Sequence, residues 1–106
     1  MKTDRELLEA AARAAGLDVK PHPNARISSA MSFVLDGKNW HPLDDDGDAL
    51  RLAVKLRLQV HIEDYGTSAR LCEGGQWQSG RSSDPAEATR RAIVRAAAAM
   101  AEESPA

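Results

Sequence analysis

The stretch Asp84-Pro-Ala-Glu-Ala-Thr-Arg-Arg-Ala-Ile-Val-Arg-Ala-Ala-Ala-Ala-Met100 constrains this chain more than any other. Asp84 supplies an N-cap carboxylate, and Pro85 stands at the first helical position, where a missing N–H costs nothing. The residues after Pro85 favour helix, alanine most of all, to about Glu102. Ala88, Ala92, Ala96 and Ala99 recur at helical spacing as a smooth face, beside a bulkier face of Ile93, Val94, Ala97 and Met100. A helix apolar on two faces needs cover on both. One face is expected to lie on a sheet. The alanine face either takes the first helix or brings a second copy close, which makes a homodimer one expected assembly.

The other elements are set by local signals. Thr3-Asp4-Arg5-Glu6 reads as a capping box, Leu7, Leu8, Ala11, Ala12 and Ala15 form an apolar stripe, and Gly16 ends the helix. Pro21 and Pro23 mark a loop. Ile27 to Leu35 alternates as a strand, Asp36-Gly37 is a turn signal, and Lys38–His41 is a short returning strand. Asp45 is the best N-cap of a second helix, with Asp48 at its third position. In Ala49–Leu56 only Arg51 and Lys55 are charged, so burial on more than one side is expected. Leu58, Val60 and Ile62 alternate with Gln59, His61 and Glu63, a strand with one wet face. Tyr65-Gly66-Thr67 turns it into a strand over Ser68–Glu73, and Gly74-Gly75 turns that into Gln76–Gln78.

The order α-β-β-α-β-β-α defines an α+β domain over residues 1–103, an antiparallel sheet covered by helices, with 104–106 as a frayed tail. The polar face at Gln59, His61 and Glu63 favours two layers over an α/β/α sandwich. At 106 residues the chain makes one core without a disulfide or metal. The single Cys72 fits a reducing cytoplasm. The acidic amphipathic start predicts no signal peptide, and no apolar run approaches the roughly 20 residues of a membrane span. Net charge is −2, which removes any global pull toward nucleic acid or acidic lipid.

No catalytic constellation emerges. The serines lie in no Gly-x-Ser-x-Gly elbow, the glycines form no phosphate fingerprint, and His22, His41 and His61 lack metalloprotease spacing. Cys72 beside His61 imitates a nucleophile pair, but a small half-buried strand residue is the simpler account. Asp44-Asp45-Asp46-Gly47-Asp48 fails the calcium-loop template: with Gly47 at position six, position one is Pro42 and position twelve Ala53. Capping explains the carboxylates; Asp44 and Asp46 remain candidates for a recognition surface. No metal or cofactor is expected. Arg81, Arg90, Arg91 and Arg95 form the most basic neighbourhood, and Glu87 can pair with Arg90 and Arg91 along the helix. An acidic helix start and few rings argue against nucleic acid there. Trp40, with Leu43 and Leu50 close behind it, is expected in the core. Trp77 is either an inward strand residue or an exposed edge anchor.

Two longer pieces of text, Trp-x-Pro-Leu-x-Asp-Asp-Gly-Asp-Ala-Leu-Arg-Leu-Ala-Val-Lys-Leu from Trp40 and Asp-Pro-x-x-Ala-Thr-Arg-Arg-Ala-Ile-Val-Arg-Ala-Ala from Asp84, resemble the phage ABA sandwich domain family of small bacteriophage and prophage proteins. Position 41 departs from that pattern, with His where a small polar residue is expected. The resemblance implies an origin and an α/β/α architecture but no activity. The expected role is therefore binding rather than catalysis: a cytoplasmic accessory factor docking on a host protein, in defence evasion or host takeover. Two alternatives are a nucleotide-signal sequestering protein using Trp77, Arg81 and Arg90, and a weak nucleic-acid module using Arg90, Arg91 and Arg95.

Overall fold

The computed structural model describes residues 3–21, 33–63, 66–71 and 76–103. Its elements run α1 (Asp4–Ala15), β1 (Lys20–Pro21), β2 (Phe33–Leu35), β3 (Lys38–Trp40), α2 (Asp46–Leu56), β4 (Leu58–Glu63), β5 (Gly66–Leu71), β6 (Gln78–Ser79) and α3 (Pro85–Glu103). This is an α+β fold with helices and hairpins in the expected order, to which β1 adds a two-residue strand. The strands form two antiparallel sheets, β1-β2-β3 and β4-β5-β6, where the sequence suggested one.

Local chemistry fixes the ends. At α1, Glu6 N–H donates to Thr3 Oγ1 and Thr3 N–H to the Glu6 carboxylate, a complete capping box, and Gly16 closes the helix at φ +70°. At α2, the Asp45 carboxylate accepts from Asp48 N–H at 2.8 Å. Asp36 and Gly37 both take positive φ, 53° and 80°, which is the two-residue turn that matches strand twist and sets Leu35 opposite Lys38.

Helix α3 is the centre of the packing. It touches α1 and α2 on one side and β4, β5 and β6 on the other. Ala88, Ala92, Ile93, Val94, Ala96 and Ala97 are all buried within the single chain. Of the alanine face, Ala88, Ala92 and Ala96 are thus covered by contacts within the chain, while Ala99 is half-buried. Full burial of side chains such as Leu8 and Val94 stabilises by about 1.5–3 kcal/mol each. Trp40 lies in the same core, only 4% exposed, beside Phe33 and Leu43.

Several expectations are corrected. Helix α2 buries one side only, through Ala49, Leu52 and Ala53, while Leu50 and Val54 are 63% and 67% exposed. Nothing among the described residues covers that outer stripe, so apolar character alone did not report burial. Pro21 is not simply loop: Lys20 and Pro21 pair with Val34 and Phe33 as a sheet edge, where a residue without an N–H is tolerated. Gly66 and Thr67 belong to β5 rather than to a turn, and the last strand is Gln78–Ser79. Ile62 follows the inward alternation of Leu58 and Val60 but lies beyond the helical cover. Helices occupy one face of β4-β5-β6 and the other bears polar side chains, which matches the two-layer expectation. Predictions on Cys72, His22, Tyr65, Gly74-Gly75, the strand over 27–32 and the tail fall outside the described residues. No helix among those described is long and apolar enough to cross a membrane.

Candidate functional site

The uncovered face of β4-β5-β6 holds the most specific side-chain grouping on the surface. Antiparallel register sets Gln59 opposite Arg70 and His61 opposite Ser68, and Gln78 opposite Ala69 brings the preceding Trp77 beside Arg70. Side chains two apart share a face, so these groups rise together. Arg70 Nε donates to Gln59 Oε1 at 2.9 Å, which fixes the guanidinium, and Arg70 Cζ then lies 4.5 Å from the centroid of the Trp77 ring. The His61 ring stands 5.0 Å from Trp77 at 52°, and His61 Nδ1 is 3.4 Å from Glu63 Oε1. Trp77 remains 40% exposed and is not a core residue.

The four arginines of the basic neighbourhood are dispersed by their partners. Arg90 donates through Nε to the Leu43 carbonyl at 2.8 Å and through Nη1 to Asp46 at 2.6 Å, tying α3 to the turn that starts α2. Arg91 donates to both oxygens of Asp4, at 2.6 and 3.4 Å, tying α3 to the first turn of α1. That hydrogen bond is the main cause holding the Arg91 guanidinium above its ordinary range. Arg95 donates to the Ser79 carbonyl at 3.0 Å; burial, then Arg81 and Arg91, push it below the ordinary arginine value. Their hydrogen-bond partners therefore come from other elements, and Glu87 acts on Arg91 only as a nearby charge. The Arg81 backbone N–H donates to Ser79 Oγ, and the residue is exposed at φ +53°.

The acidic turn is divided in the same way. Asp45 caps α2, Asp46 pairs with Arg90, and Asp48 accepts from His41 N–H at 2.9 Å and from Arg51 at 2.7 Å. The Asp44 carboxylate is the least engaged of the four among the described residues, lying 3.4 Å from a His41 Nδ1 that is buried without a hydrogen bond. No group of three or more potential metal ligands occurs among the described residues.

Of the binding residues singled out in the sequence, only Trp77 lies on the sheet platform. Arg70, Gln59 and His61 join it and were not singled out as a group. The signal was present in part: Gln59 and His61 alternate onto the wet face, and counting register across the β4–β5 hairpin would have added Arg70. No family model matches the chain, and neither a curated protein nor a solved structure was found to match it.

Proposed function

We propose that this is a small accessory protein of phage or prophage origin that acts by binding, with the Trp77 platform as its recognition surface and a host protein in defence evasion or takeover as its target. The observation that carries the binding reading is the exposed Trp77 ring held between Arg70 and His61. Tryptophan and arginine are the residues that most often dominate protein interfaces. Here the ring and guanidinium are already fixed by Gln59 and by each other, so docking loses little side-chain entropy. The origin rests on the resemblance of Trp40 to Met100 to phage ABA sandwich proteins. The nucleic-acid reading requires available guanidinium donors, and Arg90, Arg91 and Arg95 are each engaged inside the fold; of the two arginines of the nucleotide reading, Arg90 is engaged and Arg81 is exposed.

The test is an affinity capture from bacterial host lysate with wild type, Trp77→Ala and Arg70→Glu run in parallel. A stoichiometric partner held by wild type and lost by both variants is the expected result. Equal recovery by all three, or recovery by none, removes the proposal. Titration with nucleotides and a gel shift at low salt separate the two rivals, since electrostatic affinity is greatest there.

A further inference from the structure

A second site, built from none of the platform residues, lies between the β2–β3 hairpin and α2. Phe33, Leu35, Lys38 and Trp40 share the inner face of the hairpin, by alternation and by the pairing of Leu35 with Lys38 and Phe33 with Trp40. Asp48, Arg51, Leu52 and Lys55 stand at i, i+3, i+4 and i+7, one stripe of α2. These two surfaces face one another without close backbone packing, and the space between them is a groove of about 590 Å³. That volume is within the range of small-molecule sites.

Its apolar walls are Leu17, Leu35, Trp40 and Leu52. Lys38 enters from the hairpin and Lys55 from the helix. Lys38 shares the face of Trp40 by alternation and is itself exposed at the groove's rim. Asp48 does not neutralise the two ammonium groups, because its oxygens accept from His41 N–H and Arg51. Neither Lys38 nor Lys55 has an ion-pair partner among the described residues. Asp36 also lines the groove, at the hairpin tip.

We propose that this groove binds a small amphipathic anion, with its apolar body against Leu17, Leu35, Trp40 and Leu52 and its carboxylate or phosphate head between Lys38 and Lys55. Both requirements come from the lining: apolar surface that an occupant would remove from water favours the body, and two unpaired cations on opposite walls favour the head. The site is separate from the Trp77 platform and stands or falls independently of it.

The experiment is a calorimetric titration of the whole chain with decanoate, decyl phosphate, decanol and inorganic phosphate. Tryptophan emission is followed in a Trp77→Phe background, so that only Trp40 reports. The two amphipathic anions are expected to bind and to change Trp40 emission, and which of them binds tighter identifies the head group. The Lys38→Gln/Lys55→Gln variant is expected to lose roughly tenfold in affinity for them. An Arg13→Gln/Lys20→Gln variant of equal net charge, changed outside the groove, is expected to retain it. Decanol binding as tightly as decanoate, equal affinity in the two double variants, unchanged Trp40 emission, or no binding by either anion each overturns the proposal.

Discussion

Arg91, near the middle of α3, grips the carboxylate of Asp4 in the first turn of α1 with its nearer nitrogen at 2.6 Å, across 87 positions of chain. The two side chains are each about 30% exposed, so solvent screens the pair only in part. Arg91→Ala and Asp4→Asn are each expected to destabilise by about 1–2 kcal/mol. For a domain of this size that lowers Tm by several degrees. A double-mutant cycle followed by thermal unfolding checks the coupling; strictly additive effects would show that the pair contributes nothing of its own.

Gly80 is required for space rather than for backbone freedom. A Cβ there would lie 1.9 Å from the Ala88 carbonyl oxygen, an atom fixed in the first turns of α3. Gly80→Ala must therefore push β6 away from the helix and break the Gly80 N–H to Thr67 carbonyl bond of 3.0 Å. A loss of about 3 kcal/mol is expected, read as a lowered urea midpoint.

Two neighbouring leucines on α2 should behave oppositely. Leu52 is 2% exposed and Leu50 is 63% exposed. Leu52→Ala is expected to cost about 2–5 kcal/mol through the cavity it leaves, and Leu50→Ala within about 0.5 kcal/mol. Denaturant melts of the two variants decide it; similar losses would mean that α2 is covered on both sides.

The acidic turn offers a similar contrast. Asp45→Ala removes the cap of α2 and is expected to cost about 1 kcal/mol. Asp44→Asn leaves every hydrogen bond of the turn in place and is expected to change Tm little. Circular dichroism melts distinguish the two.

Trp77→Ala is expected to leave the fold intact, losing about 0.5–1 kcal/mol with the Arg70 contact. The remaining emission comes from buried Trp40 and should shift to shorter wavelength. An unshifted spectrum would place Trp77 in an apolar setting and contradict its exposure.

The features legible in the sequence were those that a few adjacent residues determine. Thr3 with Glu6, Asp45 with Asp48, and Asp36 with Gly37 each decide their own geometry, and each appears where the local signal put it. Partition of strands into two sheets depends on pairings that no short window contains. The arginines show the same limit: Arg90 and Arg91 look alike within α3, yet their acceptors come from residues 43, 46 and 4. Leu50 and Val54 misled for the opposite reason, since their apolar character implied a neighbour that the described fold does not place there.

Because α3 alone touches α1, α2 and all of β4-β5-β6, neither that sheet nor the α1–α2 pair has its main packing partner before this helix is present. During synthesis the earlier segments leave the ribosome with their apolar residues waiting for a partner encoded after them. Folding should then be a single late, cooperative event that waits on distant contacts such as those of α1 with α3. A nascent chain arrested before Pro85 is expected to remain protease-sensitive throughout, with no protected fragment.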